Sequence, residues 1–130
     1  MIKNKFVIEF EIKASAKMLF PYLSSASGLQ QWFAPKVNYK PDHGFDFYWD
    51  GENHPAKLHS SRLNKSIRFD FVNTGEPEKD WNYLEFKLDV GELSQSTFLK
   101  IVDYTENQDN DELESVWEGL IAGLKEIIGG

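Results

Sequence analysis

Few side chains in this sequence can do chemistry, and their spacing limits what that chemistry is. There are three histidines, His43, His54 and His59, and no cysteine. No two histidines stand two, three or four residues apart, the spacings at which a strand or helix offers both rings to one metal ion. His43 and His54 fall in stretches that read as turns, and His59 lies on the polar face of a strand. Solvated or hydrogen-bonded histidines are expected, not ligands. The lack of cysteine removes thiolate zinc sites, thiol nucleophiles and disulfides together. Asp109-Asn-Asp111-Glu112 is faintly calcium-like but lacks the glycine and closing glutamate of a twelve-residue loop, so helix capping is the better account. No Gly-x-Gly-x-x-Gly, Walker or Gly-x-Ser-x-Gly sequence occurs, which argues against a standard nucleotide cradle or a nucleophile elbow. Glu9 and Glu11 share the polar face of one strand and read as solvent contacts. No catalytic constellation, metal site or cofactor is expected.

One carboxylate stands apart. By alternation Asp103 shares a face with Leu99 and Ile101, so it points inward if that strand is half-buried. A buried, unpaired carboxylate is costly. The expected resolution is a partner, Arg62 or Arg68 (the chain's two arginines), or exposure at the strand's end. An inward Asp103 without such a partner would be the candidate acid or base for a hydrolase or cyclase.

Fourteen basic residues against twenty-one acidic ones leave a net charge of -7. That field repels nucleic acid, and no basic run offsets it. From Ile101 to Leu124 the acids Asp103, Glu106, Asp109, Asp111, Glu112, Glu114 and Glu118 occur with no lysine or arginine. Two readings stand: a solvated helix start with solubility charge, or a docking face for a basic protein partner.

The elements that must position these residues follow from composition and period. At 130 residues the chain is one domain, 1–130. By surface scaling, about two-thirds of its unfolded area can be buried, enough for a core without staples. No apolar run reaches the roughly 18 residues of a membrane span. The opening Met1-Ile-Lys-Asn-Lys-Phe6 lacks the apolar centre of a signal peptide, so a cytoplasmic location is expected.

Phe6, Ile8, Phe10 and Ile12 alternate with polar residues and predict a strand. Ser15 predicts the cap of a short helix carrying Met18, Leu19, Tyr22 and Leu23, with Pro21 inside it. Ser27-Gly-Leu-Gln30 has capping-box spacing and predicts a second short helix carrying Leu29, Trp32 and Phe33, closed by Pro35. Then come about six strands. Val37 and Tyr39 alternate in the first, and Phe45, Phe47 and Trp49 share a face in the next. Asp50-Gly51 is a strong hairpin signal. Ala56, Leu58 and Ser60 alternate with Lys57, His59 and Ser61; further on, Ile67, Phe69 and Phe71 share a face, as do Leu84, Phe86, Leu88 and Val90. The last strand spans about Ser96 to Tyr104.

The period then changes. Leu113, Val116, Trp117, Leu120, Ile121, Leu124, Ile127 and Ile128 recur at helical spacing, after an acidic start and before Gly129-Gly130. An antiparallel meander with a long amphipathic helix packed on it is an α+β architecture. Gly119 and Gly123 sit inside that helix at about 1 kcal/mol each relative to alanine. They imply either close approach of another backbone or room for a ligand under the helix.

Three segments resemble a known family. Leu29-Gln-Gln-Trp-Phe-Ala-Pro35 resembles the Leu-x-x-Trp-Phe-x-Pro signature of START-like, helix-grip (SRPBCC) proteins, in the branch with homologues of the heat-shock-chaperone ATPase activator. Ala14-Ser-Ala-Lys-Met-Leu-Phe-Pro-Tyr-Leu23 resembles that family's first helix, and Trp117-x-x-Leu120-x-x-x-Leu124 its closing helix. Ser115-Val116 stand before Trp117 where a Gly-Trp order is common in the activators. The resemblance implies a helix-grip fold: a curved antiparallel sheet wrapped around a long C-terminal helix, with two short helices after the first strand and a cavity between sheet and helix. It implies a small apolar ligand, lipid-like or polyketide-like, as partner. Expected lining residues are Trp32, Phe47, Trp49, Leu58, Phe69, Phe86, Leu99, Trp117, Leu120 and Leu124; the alternative is that these side chains simply fill the core. The other functional readings are a protein-interaction or co-chaperone module and, third, a cyclase or hydrolase, with the balance against an enzyme.

Overall fold

A computed structural model describes residues 2–91 and 96–129. Met1 of the opening segment and Gly130 of the expected helix stop therefore lie outside the described residues. The chain runs β1 (Asn4–Ile12), α1 (Ala16–Ser24), α2 (Ala26–Gln30), β2 (Lys36–Lys40), β3 (Gly44–Trp49), β4 (Glu52–Arg62), β5 (Ser66–Phe71), a 3-10 turn (Glu78–Asp80), β6 (Tyr83–Val90), β7 (Thr97–Thr105) and α3 (Asn110–Ile128). Among the described residues the strands form one antiparallel sheet in the order β1-β7-β6-β5-β4-β3-β2. The sequence-adjacent strands β2 to β7 form a meander. The first strand returns beside the last, so α1 and α2 bridge the two edges of the curved sheet. This is the expected α+β helix-grip architecture.

Each element forms for a local reason. Ser15 caps α1 by accepting from the Met18 amide at 3.1 Å. The second cap is not the expected Ser27. Ser25 accepts from the Gly28 amide at 2.9 Å, α2 ends at Gln30, and Trp32 and Phe33 lie in the following turn. Gln30, expected to complete a capping box, instead takes the Val37 amide at 2.9 Å and ties α2 to β2. Gly28 is required there by contact, because a Cβ at that position would lie 2.8 Å from Tyr22 Cα in α1. Asp50 and Gly51 both have positive φ, 52° and 77°, as a two-residue hairpin turn demands.

In β4 the simple alternation fails. The register shifts between Leu58 and Ser60, so Ala56 and Leu58 pair with Phe71 and Phe69, whereas Ser61, not Ser60, pairs with Ile67. His59 sits at that bulge and its Nδ1 lies 3.1 Å from Asp70 Oδ2.

Helix α3 begins at Asp109, which accepts from the Glu112 amide at 3.1 Å, and stops at Gly129 in the left-handed conformation with φ 78°. Leu113, Trp117, Ile121 and Leu124 are its buried positions, with Leu120 and Ile128 half-buried. Val116 and Ile127 are exposed, so the apolar stripe is narrower than its period implied. Close packing at Gly119 and Gly123 is likewise overturned: a Cβ on either would meet nothing within 4 Å.

At the far end Lys3 holds three segments together. Its Nζ donates to Asn82 at 2.6 Å, Glu76 at 3.0 Å and Glu106 at 3.2 Å.

Candidate functional site

The sheet and α3 do not close on each other completely. A cleft of about 410 Å³ remains between them. Its sheet wall is Trp49 at the end of β3, Phe71 at the end of β5, and Leu84 in β6. Its helix wall is Val116, Trp117 and Leu120. Phe33, from the turn after α2, closes one side, and Asp103 of β7 supplies the charged group.

The rings are placed by the periods that formed the elements. Phe45, Phe47 and Trp49 alternate inward along β3 and stack as a ladder at 6.0 and 5.7 Å. Trp49 is the last rung before the Asp50-Gly51 turn, so only part of it is covered. Its Nε1 donates to the Phe33 carbonyl at 3.3 Å. Phe33 in turn stacks on Trp117 at 5.9 Å and meets Trp49 edge-on at 5.2 Å. The Trp-Phe pair thus divides its work. Trp32 donates its indole N–H to the Tyr22 carbonyl at 2.8 Å and locks the turn onto α1, whereas Phe33 faces the cleft.

Asp103 points inward, as alternation required, but its partner is neither arginine. Trp117 Nε1 donates to its Oδ2 at 2.9 Å. The strand period explains the correction. Arg68 alternates with Ile67 and Phe69 and therefore emerges on the outer face, where its Nε donates to Asp70 at 2.8 Å and its guanidinium lies 3.8 Å over the Tyr83 ring. Arg62 is exposed at the end of β4. The sheet itself separates both arginines from the inner face. Burial pushes the Asp103 carboxyl above the usual carboxylate range, and the indole hydrogen bond opposes that shift in part. Its other oxygen, Oδ1, has no hydrogen-bond partner among the described residues.

Of the expected lining residues, Trp49, Trp117 and Leu120 meet at the cleft. Trp32 joins Phe33, Trp49 and Leu120 around a shallower hollow that shares its wall. Phe47, Phe69, Phe86, Leu99 and Leu124 are fully buried in the core cluster, and Leu58 packs half-buried against it. The cleft also draws on Phe33, Phe71, Leu84, Val116 and Asp103. The signals for four of these were in the alternation of β5, β6 and β7 and the period of α3. Phe33 differs, because the turn that aims it has no period.

A second hollow borders the cleft at Trp49, Phe71 and Asp103 and extends past His54, Asn82 and Tyr104. A larger one, about 740 Å³, lies between Lys13–Met18 and the ends of β6 and β7. Its lining includes Val90, Ser96 and Thr97 and holds no aromatic ring, so the site is placed at the cleft. Among the described residues no group of three or more histidine, aspartate or glutamate side chains is arranged to hold a metal ion. No described helix is long and apolar enough to cross a membrane.

Comparison with known proteins agrees with this architecture. Residues 1–130 match the family model described as a START-like superfamily domain. The solved Aha1 dimer of Colwellia psychrerythraea superposes with a TM-score of 0.74 at 19% identity, covering 97% of this chain and 95% of that one. A Bacteroides fragilis protein solved in solution gives 0.65 at 27% identity, over 98% and 93% of the two chains. DynU16, from the dynemicin biosynthetic locus, gives 0.75 at 13% identity, over 97% of this chain and 47% of its own. No curated protein matches the sequence.

Proposed function

The chain belongs to the START-like superfamily, and from that premise we propose that it binds a small apolar ligand in the cleft between the sheet and α3. The observation that carries the reading is the open space of about 410 Å³ walled by Phe33, Trp49, Phe71, Trp117 and Leu120. That volume falls within the range of about 300–1,000 Å³ typical of small-molecule sites, and an aromatic lining with a single polar group suits an apolar guest. The fold alone does not require such a space, since most of the inward aromatics are packed shut. The acidic stretch gives less support to a basic protein partner, because three of its seven acids serve the fold or the cleft. Glu106 meets Lys3, Asp109 caps α3 and Asp103 lines the cleft.

The test uses N-phenyl-1-naphthylamine, a neutral dye whose emission rises in apolar surroundings. Saturable, roughly one-to-one binding is expected. Leu120→Trp, which fills the cleft from its half-buried side, should weaken it at least about tenfold while leaving the fold intact. Absence of saturable binding, or unchanged binding by the variant, would overturn the reading.

A further inference from the structure

We propose that Asp103 is the polar anchor of this cleft and that the ligand it selects is a lipophilic amine, an apolar body carrying a protonated nitrogen. The inference rests on the cleft reading above and adds the chemistry of the ligand's head. Apart from Asp103, the cleft is lined by apolar side chains, with no lysine or arginine among them. An anionic head, such as a fatty acid's, would therefore set two carboxylates together with no cation between them, and like charges repel. A neutral head gains a hydrogen bond but leaves the carboxylate's charge uncompensated.

A protonated amine meets three features at once. Asp103 Oδ1 has no hydrogen-bond partner among the described residues, while Trp117 fixes Oδ2 at 2.9 Å and so fixes the orientation of the carboxylate. The rings of Phe33, Trp49, Phe71 and Trp117 line the same space, and a ring that turns its face to a cation attracts it. The arginines that would compete for Asp103 are held away from it, Arg68 by Asp70 and Tyr83 on the outer face of the sheet. In the adjoining hollow the ionisable neighbours are His54, Tyr83 and Tyr104. His54 packs against Trp49 at 5.2 Å with its Nε2 4.0 Å from Glu52, and it makes no ion pair with Asp103. Burial raises the proton affinity of Asp103, and no neighbouring cation offsets it.

The experiment compares decylamine, decan-1-ol and decanoate, equal in chain length and different in head, as displacers of the naphthylamine dye from the wild-type protein. Decylamine should displace it at a concentration at least about tenfold below that of decanol, with decanoate weakest. Asp103→Asn, which keeps an acceptor for Trp117 and removes the charge, should abolish the amine preference, so that decylamine and decan-1-ol displace the dye at similar concentrations. Glu114→Gln, an exposed acid at the start of α3, should preserve the preference and so separates the anchor from general attraction to a negatively charged protein. As a second readout on the wild-type chain, the Trp117 indole N–H resonance should move with decylamine and not with decanoate. Equal displacement by all three, a decanoate preference, or an amine preference that survives Asp103→Asn would overturn the inference and leave the cleft reading standing. Failure of decanol itself to displace the dye would overturn both.

Discussion

Trp117 and Asp103 face each other across the cleft, one from α3 and one from β7, joined by an indole N–H donated to a carboxylate oxygen at 2.9 Å. The bond links the gripping helix to the sheet at the point where apolar packing gives way to open space. An indole is a neutral donor, so it orients the carboxylate without supplying the positive charge that an arginine would. The consequence is a polar group held in place and incompletely satisfied.

Its ionisation should therefore weigh against folding. The carboxyl of Asp103 titrates above the ordinary 3.8 in the folded chain, chiefly through desolvation and despite the Trp117 bond. A raised acid favours the folded state fully below the unfolded value, and that advantage is lost as pH rises through the folded one. The difference in melting temperature, Asp103→Asn minus wild type, should therefore grow more positive between pH 4 and pH 8. A difference that stays constant or shrinks over that interval would contradict a largely buried carboxyl that has an indole donor and no cationic partner.

Gly28 should be intolerant of any side chain. A methyl there lies 2.8 Å from Tyr22 Cα and also presses on the Pro21 backbone, neither of which is a flexible side-chain end. Gly28→Ala should cost at least about 1–3 kcal/mol by overpacking, measured by urea unfolding. Because α2 also places the Phe33 turn, dye binding should weaken together with stability.

Gly119 calls for the opposite result. It is exposed inside α3 with nothing within 4 Å of a Cβ, so alanine there meets no clash. Gly119→Ala should raise stability by about 0.5–1 kcal/mol through helix propensity, with ligand binding unchanged. A loss of stability would mean that another backbone does approach this strip.

What the sequence determined by itself was whatever depends on a residue and its near neighbours. The 3.6-residue period from Leu113 to Ile128 and the acidic and glycine ends set α3 at Asn110–Ile128. Asp50-Gly51 set a hairpin, Ser15 a cap, and the two-residue period turned Asp103 toward the inside. Even there local rules failed where a neighbour competed, as when Gln30 left its own helix for the Val37 amide and the bulge at His59 shifted the face of β4. Only the tertiary structure decided who meets whom. Period says that Asp103 and Arg68 each occupy one face of a strand, but whether those faces coincide depends on the order and register of β5, β6 and β7. Likewise Phe47 and Trp49 are alike by pattern, two residues apart on one face. One is sealed among Phe33, Phe45, Phe69 and Phe71, and the other, at the strand's end, borders open space. Burial is a property of assembled surfaces, and no period along one segment contains it.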